Sequence, residues 1–188
     1  MRTSVPVMYF DTATGNFSKH PPGQPVIKVL LADVDGMVVF ADRRWREVWA
    51  FIDTGADHSQ IDADLASLIG AKDTGKVVTV RGVHGQERHG VYAVEYLLGW
   101  QQLVTTEAVS TRLINVGHAF PLLLGMNDIQ LGVLNLGGVN SASTFEINTD
   151  PEPKQQLDNV AFDTVLGGTS GAEIAEAAIR DAKGQVTS

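Results

Sequence analysis

The sequence predicts a mostly β domain with one short helix inside it, followed by a polar C-terminal tail carrying a second helix. Three observations predict it. Branched and aromatic residues recur in runs of strand length, as in Val26-Ile27-Lys28-Val29-Leu30-Leu31 and Val91-Tyr92-Ala93-Val94-Glu95-Tyr96-Leu97, and such side chains suit a pleated, half-buried surface. The 188 residues include 19 glycines, which fits many short strands joined by tight turns. Composition then turns polar at Asp150-Pro151-Glu152-Pro153. These shifts divide the chain into an N-terminal arm over 1–25, a β domain over 26–148 and an extension over 149–188.

In order along the chain, Val5 to Phe10 is a short apolar run ahead of turn-formers and Pro21, Pro22 and Pro25, so it reads as an added strand or arm. Val26 to Leu31 is the first strand of the domain, with Asp35-Gly36 as a hairpin turn before Met37-Val38-Val39-Phe40. Glu47 to Ile52 is the strand that delivers the chain to Asp53. The period then changes: Ile61, Leu65, Leu68 and Ile69 share one face of a helix from about Asp62 to Ile69, closed by Gly70. Strands resume at Val77 to Val80, turn over Gly82 to Gly85, and return through Gly90 to Leu97. Leu103 to Val109 and Phe120 to Leu124 follow, then a terminal pair, Gly132 to Leu136 and Thr144 to Ile147. In the tail, Ile174, Ala178 and Ile179 give Ala172 to Ala182 a narrow apolar helical face.

Composition excludes several functions. Hydrophobic residues make up 44% of the chain, enough for a packed core, and the formal net charge of −8 with scattered basic residues disfavours a nucleic-acid partner. With no cysteine there is no thiolate nucleophile, thiolate metal site or disulfide. The five histidines lack metal-ligand spacing and no His-Glu-x-x-His occurs, so no metal and no cofactor is expected. No apolar stretch has the length of a membrane span or of a secretory signal, and a cytoplasmic protein is the expectation. Asp33-Val34-Asp35-Gly36 lacks the later ligands of a calcium loop, Arg43-Arg44-Trp45-Arg46 reads as a solvated turn, and no serine sits in a Gly-x-Ser-x-Gly elbow.

The chemistry concentrates at Phe51-Ile52-Asp53-Thr54-Gly55-Ala56-Asp57. An apolar strand ends in a carboxylate, a small hydroxyl and a glycine, then turns into a helix; the strand end fixes the acid and the glycine admits close backbone. Asp-Thr-Gly alone is a weak signal. Its weight comes from company: Gly82-Val83-His84-Gly85 marks a hairpin tip, and Leu122-Leu123-Leu124-Gly125-Met126-Asn127-Asp128 follows. Together these segments, spanning about 26 to 148, resemble the retropepsin-like aspartic proteases of the stand-alone bacterial kind, in the order catalytic loop, flap hairpin, apolar-apolar-Gly segment and short helix.

That resemblance implies a closed β-barrel of the acid-protease type and a homodimer in which two chains each donate one Asp53. The two carboxylates would share a proton, one acting as general base on a water while the other polarises the scissile carbonyl of a polypeptide substrate. It assigns Asp53, Thr54 and Gly55 to catalysis. Ala56, Asp57, Gly82, Val83, His84 and Leu123 are assigned to substrate binding, with Gly82 to Gly85 as a closing flap. His58 is a candidate for lining a specificity pocket. The chain departs from the family pattern at Met126, where an arginine often ties the loop to the interface. Arg81, Arg88 and Arg112 are candidate substitutes. Asp11-Thr12-Ala13 lacks the glycine of a second catalytic loop, so two chains are required. The alternative function is a non-catalytic dimerisation or peptide-binding module of the same fold.

Overall fold

The run that opens the predicted domain shows how the fold is built. Gln24–Ala32 forms strand β3, and its neighbouring side chains part to opposite faces: Ile27, Val29 and Leu31 enter the main core, whereas Val26 joins a separate aromatic cluster. A strand covered on both faces needs a nearly continuous apolar run, and this one has it. Trp45–Ile52, strand β4, does the same, with Val48, Ala50 and Ile52 in the main core and Trp49 on the other side. The computed structural model describes residues 3–32, 45–82, 85–99, 102–138 and 141–147. The expected hairpin turn at Asp35-Gly36, the strand Met37 to Phe40, the tail helix and the extension over 149–188 lie outside the described residues.

The other elements are β1 (Thr3–Asp11), β2 (Asn16–Ser18), β5 (Gln60–Asp62), α1 (Ala63–Leu68), β6 (Lys72–Gly82), β7 (Gly85–Leu98), β8 (Gln102–Thr111), β9 (Leu122–Leu124), α2 (Met126–Ile129), β10 (Gly132–Asn135) and β11 (Ser143–Ile147). The chain is mostly β, as the sequence predicts. Its pairings run in a closed circuit: β3 with β4, β4 with β9, β9 with β5, β5 with β8, β8 with β7, and β7 back to β3. Within the circuit each strand is paired on both sides, while β2, β6 and β10 pair on one side only among the described strands. Ile27, Val29, Ala50, Ile52, Ile61, Val94, Tyr96, Ala108, Leu122 and Leu124 fill a common core with Leu65, Ala66 and Ile69 from the helical segment. Each fully buried branched or aromatic side chain of this kind contributes roughly 1.5–3 kcal/mol.

The helix expected from Asp62 to Ile69 is α1. Asp62 is its N-cap, its carboxylate accepting from the Asp64 N–H, and Gly70 follows at φ +62°. Ile61, which the spacing places on that helix, instead belongs to β5 and is fully buried. The apolar run at Val5 to Phe10 is a full strand of the sheet. β1 pairs first with β11, Thr3 opposite Ile147, and then with β2 and β3; Val5 and Val7 pack in the main core. The short β2, absent from the sequence reading, brings Phe17 against Trp49 at 4.6 Å and Phe10 at 5.0 Å. That hairpin covers the outer face of β3 and β4 with an aromatic cluster. The β6–β7 hairpin projects from the circuit, with Gly82 opposite Gly85 at its described end.

Candidate active site

Strand β4 carries Asp53 at its C-terminal end, and the strand beside it is β9, running parallel with Ala50, Phe51 and Ile52 opposite Leu122, Leu123 and Leu124. The ladder continues past both strands. The Asp53 N–H donates to the Leu124 carbonyl at 3.0 Å, the Met126 N–H to the Ala56 carbonyl at 2.8 Å and the Asn127 N–H to the Asp57 carbonyl at 3.2 Å. Two loops distant in sequence are therefore laced along their backbones, which fixes the strand end in place. Within the first loop the Gly55 N–H donates to Asp53 Oδ1 at 2.9 Å. Asp53 is half-buried while Thr54 and Gly55 are exposed, so the loop presents a carboxylate with one oxygen held and solvent access.

Behind this loop sits a polar hub. The Ser59 N–H donates to Asn127 Oδ1 at 2.6 Å, and Ser59 Oγ lies 2.9 Å from the same oxygen and 2.5 Å from Asp128 Oδ2. Gly125 donates its N–H to Ser59 Oγ at 2.9 Å, across 66 positions of sequence. Asn127 Nδ2 reaches Thr106 Oγ1 and the Glu107 carbonyl, both at 3.1 Å. Packing here is tight: a Cβ on Gly125 would lie 2.4 Å from the His58 carbonyl carbon. Glycine is required because backbone meets backbone.

Asp128 is fully buried, and burial pushes its carboxyl above the usual aspartate range, against hydrogen bonding from Ser59, Thr106 and Tyr96. Tyr96 is pushed well up, first by its own burial and then by the neighbouring Asp128. The Tyr96 hydroxyl and Asp128 Oδ1 close no hydrogen bond of regular geometry, yet lie near enough for each to move the other's titration.

The raised Asp128 value sets a sign for stability. Between the ordinary aspartate value of 3.8 and the raised native value, the unfolded chain releases this proton while the folded chain keeps it. Rising pH therefore withdraws stability across that window, by up to about 1.4 kcal/mol per pH unit for one proton. Asp128→Asn removes the effect. Thermal unfolding is expected to show wild type losing stability relative to Asp128→Asn as pH rises from about 4. A difference that stays flat with pH would count against the buried acid.

The structure brings Asp53, Thr54, Gly55, Ala56 and Asp57 together in one loop. Leu123 lies on β9 opposite Phe51 and Gln60 and is 2% exposed, so within one chain it forms wall rather than open surface. Gly82 ends β6; Val83 and His84 lie outside the described residues. His58 is exposed, with its backbone against Gly125. Met126, the position where the family pattern often has arginine, is 37% exposed, and among the described residues Asp57 has no ion pair. Backbone bonds and the Ser59–Asn127 contacts join the two loops instead. Asp128 belongs to the segment that carries the sequence resemblance, but neither its burial nor the part of Ser59 in this arrangement shows in the sequence. Among the described residues no group of three or more His, Asp or Glu is placed to hold a metal, and no helix is long and apolar enough to cross a membrane.

No protein-family model matches the chain, and no curated protein matches it. Solved structures do. The chain is similar to retropepsin-like proteases. One is a retropepsin-like aspartic protease from Rickettsia conorii, at a TM-score of 0.48 and 11% identity, covering 78% of this chain and 93% of that one. Another is the protease of simian foamy virus (mac), at a TM-score of 0.37 and 15% identity, covering 56% of this chain and 91% of that one. Neither likeness gives any residue of this chain a role.

Proposed function

We propose that the chain is an aspartic endopeptidase that works as a homodimer, hydrolysing peptide bonds in polypeptide substrates with water activated by two Asp53 carboxylates. The observation that carries this reading is the Asp53 loop itself. A carboxylate stands at a strand end, one oxygen held by the Gly55 N–H, with backbone bonds to residues 124–127 fixing the loop. A rigidly placed acid with solvent access is what general-base activation of water requires. One Asp53 ionised and the other protonated would supply base and electrophile together, because two carboxylates in contact do not both ionise. Thr54 and Gly55 complete the catalytic turn. Ala56, Asp57 and Leu123 line the cleft, and Gly82, Val83 and His84 close over the substrate.

On this reading the second carboxylate comes from a second chain, since Asp11-Thr12 and Asp73-Thr74-Gly75, with Asp73 exposed, lie at the end of β1 and on β6, away from the laced loops. Asp11 lies partly exposed at the end of β1, where its carboxylate accepts from the Ala13 N–H and the Thr14 hydroxyl. Those bonds, the Thr14 one foremost, hold it below the usual aspartate range. It is a turn-former. The protease domain occupies 26–148, with 1–25 as an arm and 149–188 as an extension, in a cytoplasmic protein. The test is dilution. Cleavage of an unfolded protein at mildly acidic pH should fall more steeply than linearly as the enzyme is diluted through its dimer dissociation range. Strictly linear dependence, with a monomer by sedimentation at the same concentrations, would sink the two-chain site.

A further inference from the structure

The hub behind the Asp53 loop does not balance with one serine hydrogen. Ser59 Oγ must accept from the Gly125 N–H, at 2.9 Å. It also touches two oxygens, Asn127 Oδ1 at 2.9 Å and Asp128 Oδ2 at 2.5 Å. The Asn127 amide cannot be turned round. Its Nδ2 faces the Glu107 carbonyl, which only accepts, and its Oδ1 faces the Ser59 N–H, which only donates. If Asp128 were a carboxylate, the single Ser59 hydrogen would serve one oxygen and leave the other in bare oxygen–oxygen contact. A second hydrogen on Asp128 resolves the oxygen–oxygen contacts around Ser59: Asp128 donates to Ser59, Ser59 donates to Asn127, and Asn127 donates to Thr106 and Glu107.

We propose that Asp128 is a positioning residue, held as a neutral carboxylic acid whose proton locks Ser59 and with it the rear of the Asp53 loop. The surroundings agree. Asp128 is fully buried, and the groups acting on it are Ser59, Thr106 on β8 and Tyr96 on β7, all uncharged in their ordinary states. Tyr96 is the titratable group among them, and burial keeps it neutral too. No described cation compensates a charge at this place, so a carboxylate would rest on hydrogen bonds from neutral groups alone, and burial outweighs them. The relay crosses from α2 to the loop after β4 and on to β8, so losing the proton would loosen the joint on which Asp53 is mounted.

The part of the proposal that concerns cleavage rests on the aspartic-protease reading; the protonation state does not. The experiment therefore has two arms. In protein carrying carbon-13 aspartate on an Asp53→Asn background, the carboxyl resonance lost on adding Asp128→Asn should have the protonated-acid shift at neutral pH. A carboxylate shift there overturns the proposal, whether or not the protein cleaves anything. In the second arm, Asp128→Asn keeps a donor toward Ser59 and should retain kcat within about twofold. Asp128→Leu lacks the donor and should lose roughly tenfold in kcat with little change in KM, the size of one lost hydrogen bond. Equal activity of the two variants, with both folded by thermal melt, overturns the positioning role. If wild type shows no cleavage on any substrate, the protease reading fails and the resonance still decides the state of Asp128.

Discussion

Asp53→Asn is expected to lower peptide-bond cleavage by at least about a hundredfold, the lower range for loss of a positioned general base. The substitution keeps the shape of the side chain and an oxygen for the Gly55 N–H, which now donates to Asp53 Oδ1 at 2.9 Å. The fold should be unaffected: thermal unfolding within about 0.5 kcal/mol of wild type is expected, as for surface substitutions that break no packing. What disappears is the negative charge that would take a proton from water, and in a two-chain site both copies lose it together. Equal cleavage by wild type and Asp53→Asn would mean that the hydrolysis comes from elsewhere. A wild type that dimerises, binds peptide and cleaves nothing would favour the binding-module function.

Gly125→Ala should have the largest effect on the fold. The added methyl would lie 2.4 Å and 2.6 Å from the His58 carbonyl carbon and oxygen and 2.8 Å from the Ser59 nitrogen, all backbone atoms. No rotamer relieves such a clash, so the two laced loops must separate. A cost of about 3 kcal/mol follows from the upper range for overpacking, and a chain of this size would melt roughly 6–12 °C lower. Gly138→Ala is the matched control, because nothing lies within 4 Å of a Cβ there. It should melt within about 0.5 kcal/mol of wild type. If the two alanines were equally stable, the close approach of the His58 backbone to residue 125 would be wrong. Activity should fall further than stability in Gly125→Ala, since the same displacement moves the mount of Asp53.

Much of this was legible in the sequence because it is written locally. The branched run Val26 to Leu31 declares a strand covered on both faces, Asp62 and Gly70 bracket a helix, and Phe51-Ile52-Asp53-Thr54-Gly55 displays its carboxylate at the end of an apolar run. The failures have a common cause. β5 has three residues, too few to show a period, and Ile61 shares the helical spacing of Leu65 and Leu68, so a core strand residue was assigned to the helix. Asp128 looks like any acid in a short polar helix. Its burial is decided by Ser59, Tyr96 and Thr106, residues on other elements, and no local pattern announces such a meeting. β2 was missed similarly: Phe17 is a lone aromatic until Trp49 and Phe10 are placed beside it.

The pairing of β1 with β11 also has a kinetic side. Thr3 lies opposite Ile147, and the Tyr9 hydroxyl meets Ser143 across 134 positions of sequence. Loop closure over such distances costs entropy before any contact repays it, and β proteins rich in remote pairings fold on the millisecond-to-second scale. On a ribosome adding about 5–20 residues per second, Asp53 emerges seconds before Leu124, Asn127 and the strand that seals the core. For that interval the nascent chain carries the acid without the partners that shape its loop, and the order of synthesis itself delays assembly of a competent site.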